Sequence, residues 1–493
     1  MSKIPKIIHQ IWIGPKTPPT KFMDTWKNKH EKEGFQYIRW TEEEIIKRGL
    51  NSQLLHKVND MIEINGKADI LRWEILYKYG GFFVDADAFC IEPVTYLVDK
   101  YKAFVGYENE QVRNAGWCPP GHYDDVLAHS HPLIATGTMA FPPNHELPRL
   151  AIEWIKNNDI NYQRTQKRAW RTVGPGLLTR LYHGQSWPDI TVLPSYLFLP
   201  IHVTGCAYNG REKIYANQEW GSTKQSYDSM NNIELPDHLK EPIDKVSILI
   251  SSLNTKAAYI KDCLDSIKNQ EGHIFFEIIW INDGSDTLNT QILKKMLFEF
   301  ENTTRFVNVI YRENEGNKGI GYTLNKGIEM CSNEIIIKMD SDDIMVPNRI
   351  QTQLDFMKKN PEVAICGAQV AMFKNDPSKV HNITSHPDIT WAQYKQIKSH
   401  WFVNHPTVCY RKSKVLEAGN YDKNLKHMAE DFELELRMLK THGFIKNLNQ
   451  PLLLYRCHPE QVTSGAKTKD KGGAGSQYWQ NIRNNMIHKL INS

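Results

Sequence analysis

Val246-Ser-Ile-Leu-Ile-Ser-Ser-Leu253 is an apolar run of strand length rich in branched residues, the pattern of a strand buried on both faces. A stripe of Ile260, Cys263, Leu264 and Ile267 at helical spacing follows it. The alternation then continues with a strand at Phe276–Ile281, a helix over about Leu288–Phe300, a strand at Phe306–Tyr311, a helix from about Gly321 to Met330 and a strand at Glu334–Met339. This βαβαβαβ order predicts a doubly wound parallel sheet. Ligands of such sheets gather beyond the carboxyl ends of the strands, so the residues leaving each run are the candidates: Asn254, Asn282-Asp-Gly-Ser-Asp286, Asn314-Glu-Gly316 and Asp340-Ser-Asp-Asp343.

The first half follows the same logic less regularly. A strand opens at Lys6–Ile13, Thr41-Glu-Glu-Glu44 reads as a capping box, and a helix is expected over about Lys67–Tyr79, with Ala68, Leu71, Ile75 and Tyr79 on one stripe and Gly80-Gly81 as its stop. It feeds Phe82-Phe-Val84, which exits into Asp85-Ala-Asp87, just as Ile336-Ile-Lys-Met339 exits into Asp340-Ser-Asp342. Between the halves, Asn231–Lys245 is polar, holds two prolines and has little periodicity. We therefore expect a domain over 1–235, a linker over 236–245 and a second domain over 246–493 with a C-terminal helical extension.

Composition narrows the class. With 41% hydrophobic and 24% charged residues the chain is too apolar for general disorder, and a net charge of +4 over 493 residues leaves no strongly basic face for nucleic acid. Eight scattered cysteines without a C-x-x-C pair suit a reducing compartment. His9 and Gln10 interrupt the apolar start, which reads as a strand and not a signal peptide, and no uncharged apolar run reaches the length of a membrane span. The expected location is cytoplasmic, in a bacterium or in the host cell of a virus, with any lipid-linked acceptor met at the membrane surface.

In extended backbone, residues i and i+2 point the same way, so Asp85 with Asp87, and Asp340 with Asp342, present paired carboxylates. Such pairs repel unless a cation or hydrogen-bond donors hold them, and a hard Mg²⁺ or Mn²⁺ bridging to phosphate is the usual remedy. An isolated Asp-x-Asp is far more often an exposed polar turn, and Asp69 with Arg72 would by spacing alone be a surface ion pair. By the same standard Glu430-Asp431 would be a solvated acidic helix start.

Ile4-Pro-Lys-Ile-Ile-His-Gln-Ile-Trp-Ile-Gly14 together with Lys67-Ala-Asp-Ile-Leu-Arg-Trp-Glu-Ile-Leu-Tyr-Lys-Tyr-Gly-Gly-Phe-Phe-Val-Asp-Ala-Asp87, Thr136-Gly137 and Gly174-Pro-Gly176 resembles glycosyltransferase family 32 over most of positions 4–225. It is also similar to the wider fold of the clostridial glucosylating toxins. The resemblance implies that His9, Trp12 and Gly14 border the nucleotide, that Asp69 and Arg72 contact the donor sugar or ribose, that Asp85 serves the ribose and sugar, and that Asp87 holds the metal. Glu219-Trp-Gly-Ser222 stands where the toxin-like relatives complete the metal site with Glu and Ser, whereas many family 32 members carry a His where this chain has Gln218. Family 32 enzymes retain anomeric configuration, and no nucleophile or base is assigned in this half.

Val246–Gln270, Ile281-Asn-Asp-Gly-Ser-Asp286, Glu313–Gly327, Met339-Asp-Ser-Asp-Asp343, His405-Pro406, Ala429-Glu-Asp431 with Arg437, and Tyr455-Arg-Cys-His458 resemble glycosyltransferase family 2 over 245–460. By that resemblance Asn254 lies at the donor, Asp283 bonds the base, Asp340 the ribose, Asp342 the metal, His458 the metal or diphosphate, and Asp431 deprotonates the acceptor hydroxyl. Ser251-Ser-Leu253 replaces the common Pro-Thr-Tyr, and Asn282 replaces the first Asp of Asp-Asp-Gly-Ser.

The two resemblances imply an α/β protein with two GT-A type (Rossmann-like) domains in tandem. The implied function is bifunctional sugar transfer, retaining in the first domain and inverting in the second, from UDP-sugars ahead of GDP-sugars, with Mn²⁺ or Mg²⁺ in each domain. Partners are the nucleotide-sugar donors and a glycan, glycolipid or glycoprotein acceptor. The alternative is one active domain beside a scaffold or glycan-binding module. Weaker signals are read blandly. Gly316–Gly321 is a glycine-rich helix start and not a dinucleotide loop; His122, His129 and His131 with Asp124 and Asp125 belong to a loop over the acceptor; Trp117 and Trp170 are read as buried or half-buried, the commoner state of Trp, ahead of stacking on a sugar; 463–476 is either a lid or a connection to the last helix.

Overall fold

The computed structural model describes residues 3–50, 54–108, 110–111, 131–425, 429–459, 461 and 476–492. The chain divides into two compact units, Met1–Lys240 and Glu241–Ser493. Within the segment expected to be a linker, Leu239 is buried and the first strand of the second unit already starts at Asp244. The seven described cysteines are free.

The N-terminal unit contains strands β1 (Ile7–Ile11), β2 (Gln36–Trp40), β3 (Gly81–Val84), β4 (Ala88–Cys90), β5 (Ala103–Tyr107), β6 (Ile134–Phe141), β7 (Ile190–Leu193) and β8 (Ala216–Gln218). Its six-stranded sheet has the order β2-β1-β3-β6-β5-β7, and β4 pairs separately with β8. β2, β1 and β3 are parallel, while β6 lies antiparallel to both β3 and β5. One apolar cluster around Trp40, Leu71, Trp73 and Met139 and another around Trp26, Phe82, Phe104 and Phe198 supply the core.

The helix before β3 runs Ile64–Tyr79 and starts three residues earlier than expected. Every residue from Asp69 to Leu76 is buried, so the helix is enclosed on all sides and not along one stripe. That enclosure puts Asp69 and Arg72 inside the protein. Gly80 (φ +62°) ends the helix, and a Cβ there would lie 2.6 Å from the Pro143 nitrogen. Thr41 caps the helix Glu42–Lys47 through the Glu44 N–H, but the Glu44 carboxylate bonds Arg48 and no reciprocal box bond is made.

The C-terminal unit contains β9 (Asp244–Ser252), β10 (Ile274–Asn282), β11 (Val307–Glu313), β12 (Ile335–Asp340), β13 (Ile344–Met345), β14 (Ile365–Phe373), β15 (Asn382–Ile383), β16 (Ile389–Thr390), β17 (Cys409–Arg411) and β18 (Phe444–Arg456). The order β11-β10-β9-β12 is all parallel, as the alternation predicts, with Ile248 between Ile278 and Ile337. The sheet then turns mixed: β17 is antiparallel to β12 and to β14, and β18 is parallel to β14. β13 lies beyond β18, while β15 and β16 are short additions to β14 and β18. The final helix, Gln477–Asn492, packs on this unit through Ile487 and sets Arg483 over the Phe432 ring at 5.8 Å.

Candidate functional site

In the N-terminal unit the carboxyl ends of β1 and β3 meet at one edge. Asp85 leaves β3 there, its N–H donating to the Gly137 carbonyl at 2.9 Å, while Gln10 Nε2 donates to the Asp85 carbonyl at 3.1 Å. Arg72 Nη2 lies 3.0 Å from both Asp69 Oδ1 and Asp85 Oδ1, Nη1 bonds the Thr136 carbonyl, and the guanidinium sits 4.5 Å over the Phe83 ring. The structure thus joins Asp69, Arg72 and Asp85 as a buried bridge and not a surface pair. Burial lifts the Asp69 carboxyl to about 6 against the pull of Arg72. Gly137 and Gly174 make room for it, since a Cβ would lie 2.6 Å from Asp85 Oδ2 at the first and 2.7 Å from Asp69 Oδ2 at the second.

Asp87 is 4% exposed, and burial followed by the Asp85 charge pushes its carboxyl up to about 7. Both oxygens are taken: Gln218 Nε2 donates to Oδ1 at 2.6 Å and the Gly221 N–H to Oδ2 at 2.7 Å. The expected metal set is not assembled around it. Glu219 is held by Asn217 at 2.6 Å and faces Lys224 at 3.7 Å, and Ser222 lies beside the Tyr227 phenol. With both Asp87 oxygens held by Gln218 and Gly221 and with Glu219 engaged elsewhere, these residues as placed do not assemble a metal set.

Trp12 meets Tyr227 edge-on at 5.2 Å, and the Tyr227 phenol is pushed up by burial and then by Asp87 and Asp85, which places this aromatic pair against the carboxylates. The Gly14 N–H is bonded to Glu42 Oε1 at 2.6 Å. His9 is enclosed by the protein. It is 0% exposed, with Nε2 against the Gly80 carbonyl at 2.8 Å and Nδ1 accepting from Trp40 Nε1 at 3.1 Å. Burial depresses it to about 4, so it is neutral and structural. His9→Ala is expected to lower the stability of this unit by about 2–4 kcal/mol, through two lost buried hydrogen bonds and a cavity, as read by urea unfolding.

One carboxyl at this edge carries no motif. Glu108 follows β5, and burial, then the charges of Asp69 and Asp85, raise it to about 7. Spacing could not find it, because it approaches the other acids only through the antiparallel pairing of β5 with β6 and β6 with β3. The strand exit itself was the available signal.

In the C-terminal unit the strand ends form a second edge. Asn254, at φ +51°, accepts from the Asp286 N–H at 2.9 Å and donates its own N–H to Ser285 Oγ at 2.8 Å, bracing the loop after β10. Asp283, expected at the base, is 4% exposed. Its oxygens accept from Asn314 Nδ2 at 2.9 Å and from the Lys318 and Gly319 N–H groups at 3.0 Å, so it ties two loops together.

Asp340 bonds Lys338, which is 1% exposed on its side chain. Asp342 Oδ2 and His458 Nε2 converge at 2.9 Å, and the His458 ring lies 5.3 Å from Tyr259. Arg456 carries the strand behind them, bonding the Asp342 carbonyl at 2.8 Å and Asp262 at 2.7 Å while its N–H holds Asp343 at 2.9 Å. Burial, then the Asp342 and Asp340 charges, push the Asp343 carboxyl well up. One carboxylate and one imidazole converging beside two further acids fit a divalent cation that completes its shell with phosphate oxygens and water.

Asp431 lies in the first turn of the helix Glu430–His442, behind Ala429 at φ +59°. Its Oδ1 accepts the Phe432 N–H at 2.7 Å. One turn on, Glu435 is buried with Oε1 unbonded and its carboxyl raised well above the usual range by burial and then by Asp431, with Lys338 pulling the other way. His405, Tyr421 and Tyr410 chain beside it at 2.8 and 3.0 Å. Lys338 and Glu435, absent from the sequence reading, therefore link the Asp340 and Asp431 ends of this edge. Arg437 is structural, bonding Glu433 and the Asn420 carbonyl.

Trp117, His122, Asp124, Asp125, His129 and 463–475 lie outside the described residues. His131 stacks on His183 at 3.8 Å. Among the described residues no group of three or more His, Cys, Asp or Glu side chains is arranged to hold a metal, and no helix is long and apolar enough to cross a membrane.

Two family models match the chain: glycosyltransferase sugar-binding region containing DXD motif over 20–104, and glycosyl transferase family 2 over 247–419. The amylovoran biosynthesis glycosyltransferase AmsE of Erwinia amylovora is 32% identical over 219 residues, covering 44% of this chain and 77% of the relative. An Escherichia coli UDP-Gal:alpha-D-GlcNAc-diphosphoundecaprenol beta-1,3-galactosyltransferase is 32% identical over 186 residues, covering 37% of this chain and 64% of the relative. The bifunctional glycosyltransferase pgtA of Dictyostelium discoideum is 27% identical over 290 residues, covering 51% of this chain and 36% of the relative.

These matches, on mixed α/β units with carboxylates at their strand ends, mark the chain as a glycosyltransferase. Through its C-terminal unit the chain belongs to glycosyl transferase family 2, and it carries in tandem an N-terminal region of the DXD sugar-binding, family 32-like type.

Proposed function

We propose that the chain is a bifunctional glycosyltransferase in which each unit binds its own nucleotide-diphosphate sugar and transfers to a glycan, glycolipid or glycoprotein acceptor. The observation that carries this is the presence of two separate carboxylate edges, Asp69/Asp85/Asp87 and Asp340/Asp342, each at the carboxyl end of a parallel strand. The bifunctional Dictyostelium relative and the UDP-Gal named for the Escherichia coli relative support two sites and a UDP donor.

In the C-terminal unit Asp340 takes the ribose, Asn254 shapes the donor loop, and Asp431 accepts the proton of the acceptor hydroxyl as that oxygen attacks the sugar C1. The bond from C1 to the diphosphate oxygen breaks as the new one forms, and the diphosphate leaves with the electron pair, giving inversion. Asp342 and His458 would hold Mn²⁺ or Mg²⁺, which supplies charge stabilisation for the leaving diphosphate.

In the N-terminal unit Asp69, Arg72 and Asp85 bind sugar and ribose, and Trp12 with Gly14 borders the nucleotide. Transfer there is assigned retention, with no step routed through a metal. The test is nucleotide release by the purified protein with Mn²⁺ across UDP- and GDP-sugars. Two donors should be turned over, one lost in Asp87→Asn and the other in Asp342→Asn. A single substitution that silences all turnover while the other changes nothing would leave one active domain beside a scaffold.

A further inference from the structure

Glu108 leaves β5 at the edge where Asp85 leaves β3. β5 is antiparallel to β6, and β6 to β3, so β5 and β3 run the same way and their carboxyl ends coincide. The main chain of Glu108 is pinned by its N–H to the Leu133 carbonyl at 2.8 Å. Its half-buried carboxyl has no hydrogen bond or ion pair among the described residues, and its charged neighbours are Asp69 and Asp85.

Arg72 makes its bonds to other groups and none to this third acid. Nη2 is shared between Asp69 and Asp85, and Nη1 is on the Thr136 carbonyl. A carboxyl held without a partner beside two others costs stability, so its retention points to a ligand. That ligand brings hydroxyl donors and no negative charge, because three acids repel a diphosphate and accept from a sugar ring.

We propose that Glu108 is a sugar-binding residue of the N-terminal unit, accepting hydrogen bonds from hydroxyls of the hexose carried on the donor and so helping to select that hexose. The proposal rests on the reading of this edge as a donor-sugar site.

The test uses the full chain in an Asp342→Asn background, with affinities for UDP alone and for a panel of UDP-hexoses measured for the parent and for Glu108→Gln. Glu108→Gln should weaken the preferred UDP-hexose by roughly tenfold or more and leave UDP unchanged, the size expected for hydrogen bonds to a charged group. Glu108→Leu should melt no lower than the parent. Equal weakening of UDP and UDP-hexose, no change in either, or a lower melting temperature in both variants overturns the proposal. A parent that binds UDP-hexose while Glu108→Gln is indifferent overturns this assignment alone. A parent that binds neither UDP nor any UDP-hexose overturns the donor-site reading and this assignment with it.

Discussion

Asp431→Asn should lower kcat for transfer by the C-terminal unit by about 10²–10⁴-fold, the usual worth of a positioned general base, while the donor KM stays close to that of the parent. The substitution keeps size and shape and can still receive the Phe432 N–H, so the helix start at Glu430 is preserved. What it removes is the capacity to take a proton. Neither neighbouring acid is expected to substitute. Glu430 is buried, and Glu435 lies one turn deeper with its charge disfavoured by burial and by Asp431 itself. Transfer to a supplied acceptor, compared with donor affinity by titration, separates the outcomes. A loss below tenfold, or a matching loss of donor affinity, would remove Asp431 from the role of base.

The regular half of the fold was readable because a parallel sheet covered on both faces demands continuous apolar runs. β9, β10, β11 and β12 are parallel as expected, with edges shifted by a residue or two. The strands after β12 were not read, because β14, β17 and β18 form a mixed sheet whose pairing is set by long connections and not by local period. At the sites, motif spacing named Asp85, Asp87, Asp340 and Asp342 but not their employment. His9 and Asp283 are polar residues in telling positions, yet both spend their hydrogen bonds inside the protein. Glu108, Lys338 and Glu435 were invisible for the converse reason: tertiary packing alone brings them to the carboxylates.

Lys338 and Arg72 show one solution used twice. Each edge concentrates acids over buried cations, among them Lys338 under Asp340 and Arg72 under Asp69 and Asp85. Arg72 gives the sharper test because its guanidinium is 5% exposed and bridges two carboxylates. Arg72→Met keeps an apolar stem against Phe83 but strands those acids, and it should destabilise the N-terminal unit by about 3–5 kcal/mol. The effect should depend on pH with a definite sign. In the parent, Asp69 sits at about 6, above its ordinary value, so the folded state holds that proton more tightly, and the associated stability is present at low pH and lost as pH rises through about 6. Arg72 is what pulls Asp69 down, and without it the carboxyl moves higher still, so the deficit should widen from pH 5 to pH 8. Adding Asp69→Asn to Arg72→Met should recover part of the loss at pH 8 and little at pH 5, since it removes a charge that the acid medium already neutralises. Urea unfolding of the parent, Arg72→Met, Asp69→Asn and the double variant at both pH values measures this cycle. A deficit that shrinks as pH rises, or a double variant no more stable than Arg72→Met at pH 8, would show that Arg72 acts through packing on Phe83 and not as the counter-ion of Asp69 and Asp85.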